Sequence, residues 1–175
     1  MSQLYKYAMQ NDIAHKDYAK YVEVGEKPEK SKRKVFSQGE INKLRELVYQ
    51  QKYIDTILIM IYTGMRVGEM LSLRPEHIDM ELNIIRTGSK TKAGINRIIP
   101  IHDSIKPLLQ TAVQNGAEYV FPREDGRSMS YDYYYRSHFA VIMKELGMQH
   151  LPHDCRHTFI TRMGDAGADM NAIKE

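Results

Sequence analysis

Ile41, Leu44, Leu47 and Val48 recur at helical spacing and mark the buried face of a helix. Ser37 stands three residues before Glu40, the spacing of a capping box, and sets the start of that helix. A second helix is predicted over about Tyr53 to Tyr62, where the run from Ile57 onward looks buried, and Gly64 can end it. Residues 66–73 predict a third, short helix, stopped before Pro75. Residues 2–24 carry aromatic and aliphatic residues at helical spacing and predict one helix with a trailing segment. The period then changes. Short β-prone runs around Ile84-Ile85 and Ile98-Ile99 flank a stretch with two glycines and two lysines, which predicts an antiparallel hairpin with a basic tip. Helices resume around Ser104–Gln114, Ser130–Leu146 and Cys155–Asp165, and a last one begins near Asp169. The fold class expected is mainly α with a small antiparallel β-sheet.

Composition narrows the class. The 175 residues are 42% apolar and 27% charged, as in a soluble domain with a real core. No stretch approaches the ~20 apolar residues that span a bilayer, and the start lacks the apolar segment of a signal peptide. Cys155 is the single cysteine, so no internal disulfide forms and a reducing cytoplasm is expected. The net charge of +3 permits nucleic-acid binding without requiring it. The segment "GEKPEKSKRKVF" reads as an exposed basic linker between the first helix and the rest.

Charged residues beside the apolar runs are the candidates for chemistry. Arg66 follows a buried run directly, and Glu69 lies three residues on, on the same face of a helix. Either the two form a surface salt bridge of little value, or Glu69 orients a guanidinium whose remaining donors face a phosphate. Lys90 and Lys92 lie two apart on the hairpin and point to one side; such lysines are either solvated or delivered to a ligand. In "LPHDCRHTFITRMG", Pro152 can start a helix and His153 and Arg156 fall on one face at i, i+3. His153 and His157 at i, i+4 also have the spacing of a zinc pair, but no third ligand is evident and Arg156 stands between them. The run "YDYYYRSHF" predicts a helix with some rings in the core and others on its surface.

Taken together, three boxes resemble those of the tyrosine recombinases, the phage integrase family. "TGMRVGEMLSLRPEHID" is similar to the family's first arginine box, "SKTKAGINRIIPI" to its lysine-bearing hairpin and "HDCRHTFITRM" to its His-x-x-Arg box, with Cys155 where leucine is common. The resemblance covers roughly Lys34 to Glu175. It implies the family's catalytic-domain fold and site-specific DNA recombination by transesterification through a 3′-phosphotyrosine, with no metal and no cofactor. Arg66 and Arg156 would clamp the scissile phosphate, Glu69 would orient, His153 would assist, and Lys90 (or Lys92) would protonate the leaving oxygen. The implied partner is double-stranded DNA, with the intact parent a homo-oligomer, a tetramer on DNA, and this piece a monomer or weak dimer; no membrane is involved, and the setting is the cytoplasm, at the nucleoid. Residues 1–34 would be a remnant of the core-binding domain plus linker, and residues 35–175 a catalytic domain incomplete at its end. No tyrosine follows Arg156, so the family's nucleophile is not in these residues, and they are expected to bind DNA without cutting it. The alternatives are a DNA-binding or regulatory remnant that never cuts, which is a different class of function, a zinc hydrolase at His153 and His157, and a type IB topoisomerase, which shares the chemistry.

Overall fold

The computed structural model describes residues 3–21, 34–87, 97–114 and 116–169. The chain divides into two units, Met1–Lys32 and Arg33–Glu175.

In the first unit, helix α1 spans Gln3–Gln10 and a 3-10 turn spans Tyr18–Tyr21. The helix and trailing segment expected over 2–24 are present, with the helix ending at Gln10. Asn11 donates its side-chain amide to the Tyr7 carbonyl (2.9 Å), and Asp12 takes the left-handed conformation at φ 55°. Short polar side chains compete for the backbone and tolerate that region, so an Asn-Asp pair ends a helix that apolar spacing alone would continue. The chain then folds back until Tyr18 meets Tyr5, ring centroids 6.4 Å apart.

The second unit begins with α2, Gln38–Leu47, under a reciprocal cap: Ser37 accepts the Glu40 N–H, and Glu40 accepts the Ser37 N–H at 2.8 Å. Helix α3, Ile54–Thr63, is the centre of the core, with every residue buried except Asp55 and Tyr62. Gly64 ends it at φ 64°, its N–H bonded to the Met60 carbonyl (2.9 Å). Helix α4 spans Val67–Leu71, shorter than the expected 66–73. Pro75 disfavours helical geometry at Arg74, which is extended, and opens a 3-10 turn, Pro75–His77.

A three-stranded antiparallel sheet follows in the order β1 (Ile78–Asp79), β2 (Ile84–Thr87), β3 (Arg97–Pro100). Ile84 pairs with Pro100 and Thr87 with Arg97, so the expected hairpin strands are present. Its tip, with Lys90 and Lys92, lies outside the described residues. Strand β1 was not expected: two residues carry no period. Asp79 holds its end by accepting the Leu82 N–H (2.9 Å) and the Arg86 guanidinium (3.2 Å).

Helices α5 (Lys106–Val113), α6 (Tyr131–Tyr134), α7 (Ala140–Leu146) and α8 (Pro152–Asp165) complete the unit. A π-helical turn, Tyr135–Phe139, joins α6 to α7, so the helix expected over 130–146 runs through with one widened turn. Helix α8 starts at Pro152 because Asp154 accepts the Leu151 N–H (2.8 Å) and proline needs no donor there. The helix expected near Asp169 lies outside the described residues. Helix α8 packs on α3. A Cβ on Gly64 would stand 2.3 Å from the Phe159 ring, an approach that only glycine allows. No helix among the described residues is long and apolar enough to cross a membrane.

Candidate active site

The turn between α3 and α4 builds the site. Gly64 reverses the chain in the left-handed region, and Arg66 follows in extended geometry (φ −72°, ψ 150°) just ahead of α4. Glu69, in the first turn of α4, reaches back. Its Oε2 accepts the Arg66 N–H at 2.9 Å, and its Oε1 accepts the Arg66 guanidinium at 3.0 Å. Glu69 is only 7% exposed, whereas the Arg66 side chain is 53% exposed. A surface ion pair would leave both ends in water. Here the carboxylate is buried and fixed, and the guanidinium it holds stays open on its outer side.

Arg156 enters from α8, 90 positions along the chain. Its guanidinium donates to the Gly64 carbonyl, two residues before Arg66, so the turn that carries Arg66 also anchors Arg156. Burial lowers the proton affinity of Arg156, and the positive charges of Arg97 and Arg66 lower it further, with Glu69 opposing. Arg66 and Arg97 share the Glu69 carboxylate, and Arg156 is anchored two residues from Arg66, so three cations gather around one turn. Positive charges so gathered are stabilised by an anion, and a forked guanidinium matches the oxygens of a phosphate.

Arg97 is the residue that sequence reasoning missed. It opens β3 and donates to Glu69 Oε2 at 3.1 Å, with its own side chain 19% exposed. A signal existed: two positions before the buried Ile99, Arg97 falls on the inward face of the strand. A charged residue in phase with a buried one needs a partner inside.

His153 sits one turn before Arg156 on α8 and is exposed. Its ring meets His157 edge-on, centroids 4.5 Å apart at 81°. Among the described residues no group of three or more His, Cys, Asp or Glu could hold a metal, so the histidine pair gains no third donor for zinc. Beside the arginines runs a mostly apolar groove of about 420 Å³, lined by Thr63, Ile99, Phe159 and Met163 among others.

A mainly helical unit with a small antiparallel sheet, and an arginine pair brought together from two distant boxes, define a tyrosine recombinase catalytic domain. The chain belongs to the phage integrase family, whose model matches residues 34–175. It is 28% identical to a tyrosine recombinase XerD of Staphylococcus epidermidis, covering 98% of this chain and 62% of that protein. It is 30% identical to XerA of Pyrococcus furiosus, covering 81% of this chain and 52% of that one. The chain thus spans roughly half the length of these curated relatives. Its fold is that of the Tn1549 transposon integrase solved with a circular intermediate DNA (TM-score 0.73, 21% identity, 97% of this chain and 66% of that one). The XerA recombinase crystal structure is similarly close (TM-score 0.71, 24% identity, 81% and 54%).

Proposed function

We propose that this chain is the phosphate-binding part of a site-specific DNA recombinase, with Arg66 and Arg156 holding the nonbridging oxygens of the scissile phosphate. The observation that carries this is the shared turn: Arg156 donates to Gly64 while Glu69 fixes Arg66 two residues later. In a transesterification, negative charge grows on those oxygens as the attacking and leaving oxygens share the phosphorus. Two guanidiniums fixed beforehand stabilise that charge without reorganising. Glu69 orients Arg66. His153, on the same helix face as Arg156, assists by hydrogen bonding or proton transfer. Lys90, or Lys92 in its place, protonates the leaving 5′-oxygen. The attacking tyrosine belongs after Arg156, and the whole protein forms its 3′-phosphotyrosine there, acting as a tetramer on DNA in the cytoplasm. The 175 residues alone bind duplex DNA weakly, as a monomer or weak dimer, and do not cleave it.

The test is a duplex titration across salt concentrations. Each neutralised phosphate releases counterions, so affinity falls with salt with a log–log slope of about −0.9 per contact. Arg66→Ala and Arg156→Ala are each expected to make the slope shallower by about one such contact. Affinity indifferent to salt would contradict the proposal.

A further inference from the structure

We infer that Arg97 is a positioning residue of this site: it acts through Glu69 to hold Arg66 in its phosphate-binding orientation. The inference rests on the phosphate-binding reading above and deepens it. Glu69 has two oxygens and three donors. Oε1 takes the Arg66 guanidinium, while Oε2 takes both the Arg66 backbone N–H and the Arg97 guanidinium. A carboxylate whose two oxygens are gripped by Arg66 alone moves with the α3–α4 turn that carries both residues. Held from β3 on one side and from the α3–α4 turn on the other, it has one orientation, and so has the guanidinium it grips.

The way Arg97 is buried argues that packing is not its purpose. Its Nε is buried with no hydrogen-bond partner among the described residues, and so is the hydroxyl of Thr87, its cross-strand neighbour. An apolar side chain would fill the space beside Ile99 without stranding a donor. A guanidinium there is explained by what its other end does, which is to hold Glu69. Arg97 also lines the same groove as Arg156. With 19% exposure against 53% for Arg66, Arg97 is the inner cation and Arg66 the outer one. That ordering separates a residue that supports the phosphate contact from one that makes it.

Salt dependence distinguishes the two roles. The 175-residue chain and its variants are titrated with a fluorescent duplex by anisotropy over a series of salt concentrations, with thermal melts as the folding control. Arg66→Ala removes a contact and makes the log–log slope shallower by about 0.9. Arg97→Gln is expected to lower affinity by on the order of tenfold, the size of a lost charge-assisted hydrogen bond, and to leave the slope unchanged. Arg97→Lys keeps one charged donor for Glu69 and is expected to recover part of the loss; it carries the same comparison if the glutamine variant does not fold. On a Glu69→Gln background, Arg97→Gln is expected to add little, because both break one linkage. The inference alone is overturned if Arg97→Gln matches wild type, if it changes the slope as Arg66→Ala does, or if its effect adds fully to that of Glu69→Gln. If wild-type binding ignores salt, or Arg66→Ala leaves the slope unchanged, the phosphate-binding reading fails and the inference falls with it.

Discussion

Gly64 meets three demands at one position. Its φ of 64° ends α3, its bare Cα admits the Phe159 ring, and its carbonyl accepts the Arg156 guanidinium. Only the first was legible in the sequence, as a glycine after a buried run. The other two depend on a helix about 90 residues away, which no local pattern reveals. Gly64→Ala is expected to cost about 1–3 kcal/mol through the left-handed strain and the clash, and to weaken DNA binding by moving the Arg156 anchor. Thermal melts and duplex titration measure the two effects separately; a variant as stable as wild type would refute the close approach of α8. Cys155 shows the opposite case, a reactive residue type made inert by its place. It is fully buried, and burial pushes its thiol far above the ordinary range, with Asp154 adding to the shift. The thiolate is the reactive form, so native protein is expected to resist alkylation until it unfolds. Labelling at rates set by the reagent alone would contradict that burial.

Helices with a clear apolar period were legible as elements, because their burial follows 3.6-residue spacing and their caps are local. The two-residue β1, the π-helical turn and the stop at Asn11-Asp12 were not, since each is shorter than a period or set by a single polar side chain. The joint between α2 and α8 was also hidden, and it carries a pH prediction. His150 lies with Nε2 3.2 Å from Glu40 and Nδ1 3.5 Å from Asp154, and stacks on Phe36 at 3.8 Å. The Phe36 N–H donates to Thr158 of α8 (2.9 Å). Both carboxylates cap helices, Glu40 for α2 and Asp154 for α8. Burial works against ionised Glu40, but hydrogen bonds from the Ser37 backbone and hydroxyl and from His150 outweigh it and hold its carboxyl below the usual range. A folded-state value below the unfolded one contributes stability that is present above the unfolded value and is lost as pH falls through the folded one. Wild-type melting temperature is therefore expected to drop through the carboxylate range, about pH 4.3 and below, more than that of Glu40→Gln. Parallel curves for the two proteins would show that the Glu40 linkage is absent.

At the scale of the whole molecule, the candidate site joins residues from the α3–α4 turn, β3 and α8, which lie far apart in sequence. The sequence offered it only as a conjunction: an arginine with a glutamate three residues on, then His-x-x-Arg, with the hairpin lysines between them lying outside the described residues. Each alone has an ordinary explanation. Arg97 escaped because its partner, Glu69, lies 28 residues back, on an element of a different kind. The tyrosines allow the last prediction. Cleavage needs a nucleophile that reaches the phosphorus opposite the leaving oxygen, and no tyrosine follows Arg156 here. The tyrosine-rich run is a weak substitute. Tyr134 is fully buried, its hydroxyl 2.7 Å from Thr56 Oγ1, and burial holds its phenol well above the ordinary range, so it is neither exposed nor readily ionised. Tyr131 and Tyr135 stack on each other, centroids 6.1 Å apart, and Tyr133 lies under the Arg123 guanidinium at 4.3 Å. Tyr131 is half exposed, so burial sets aside Tyr134 alone; the other three stand before Arg156 in the chain, away from the family's nucleophile position. Incubating the 175 residues with a nicked suicide duplex is therefore expected to yield no denaturation-resistant protein–DNA adduct, even where titration shows binding. Electrophoresis after denaturation reads the result directly. An adduct mapping by peptide analysis to Tyr131, Tyr133, Tyr134 or Tyr135 would overturn this, because it would show that a ring from the α6 region reaches the arginine pair within one molecule or from a second copy.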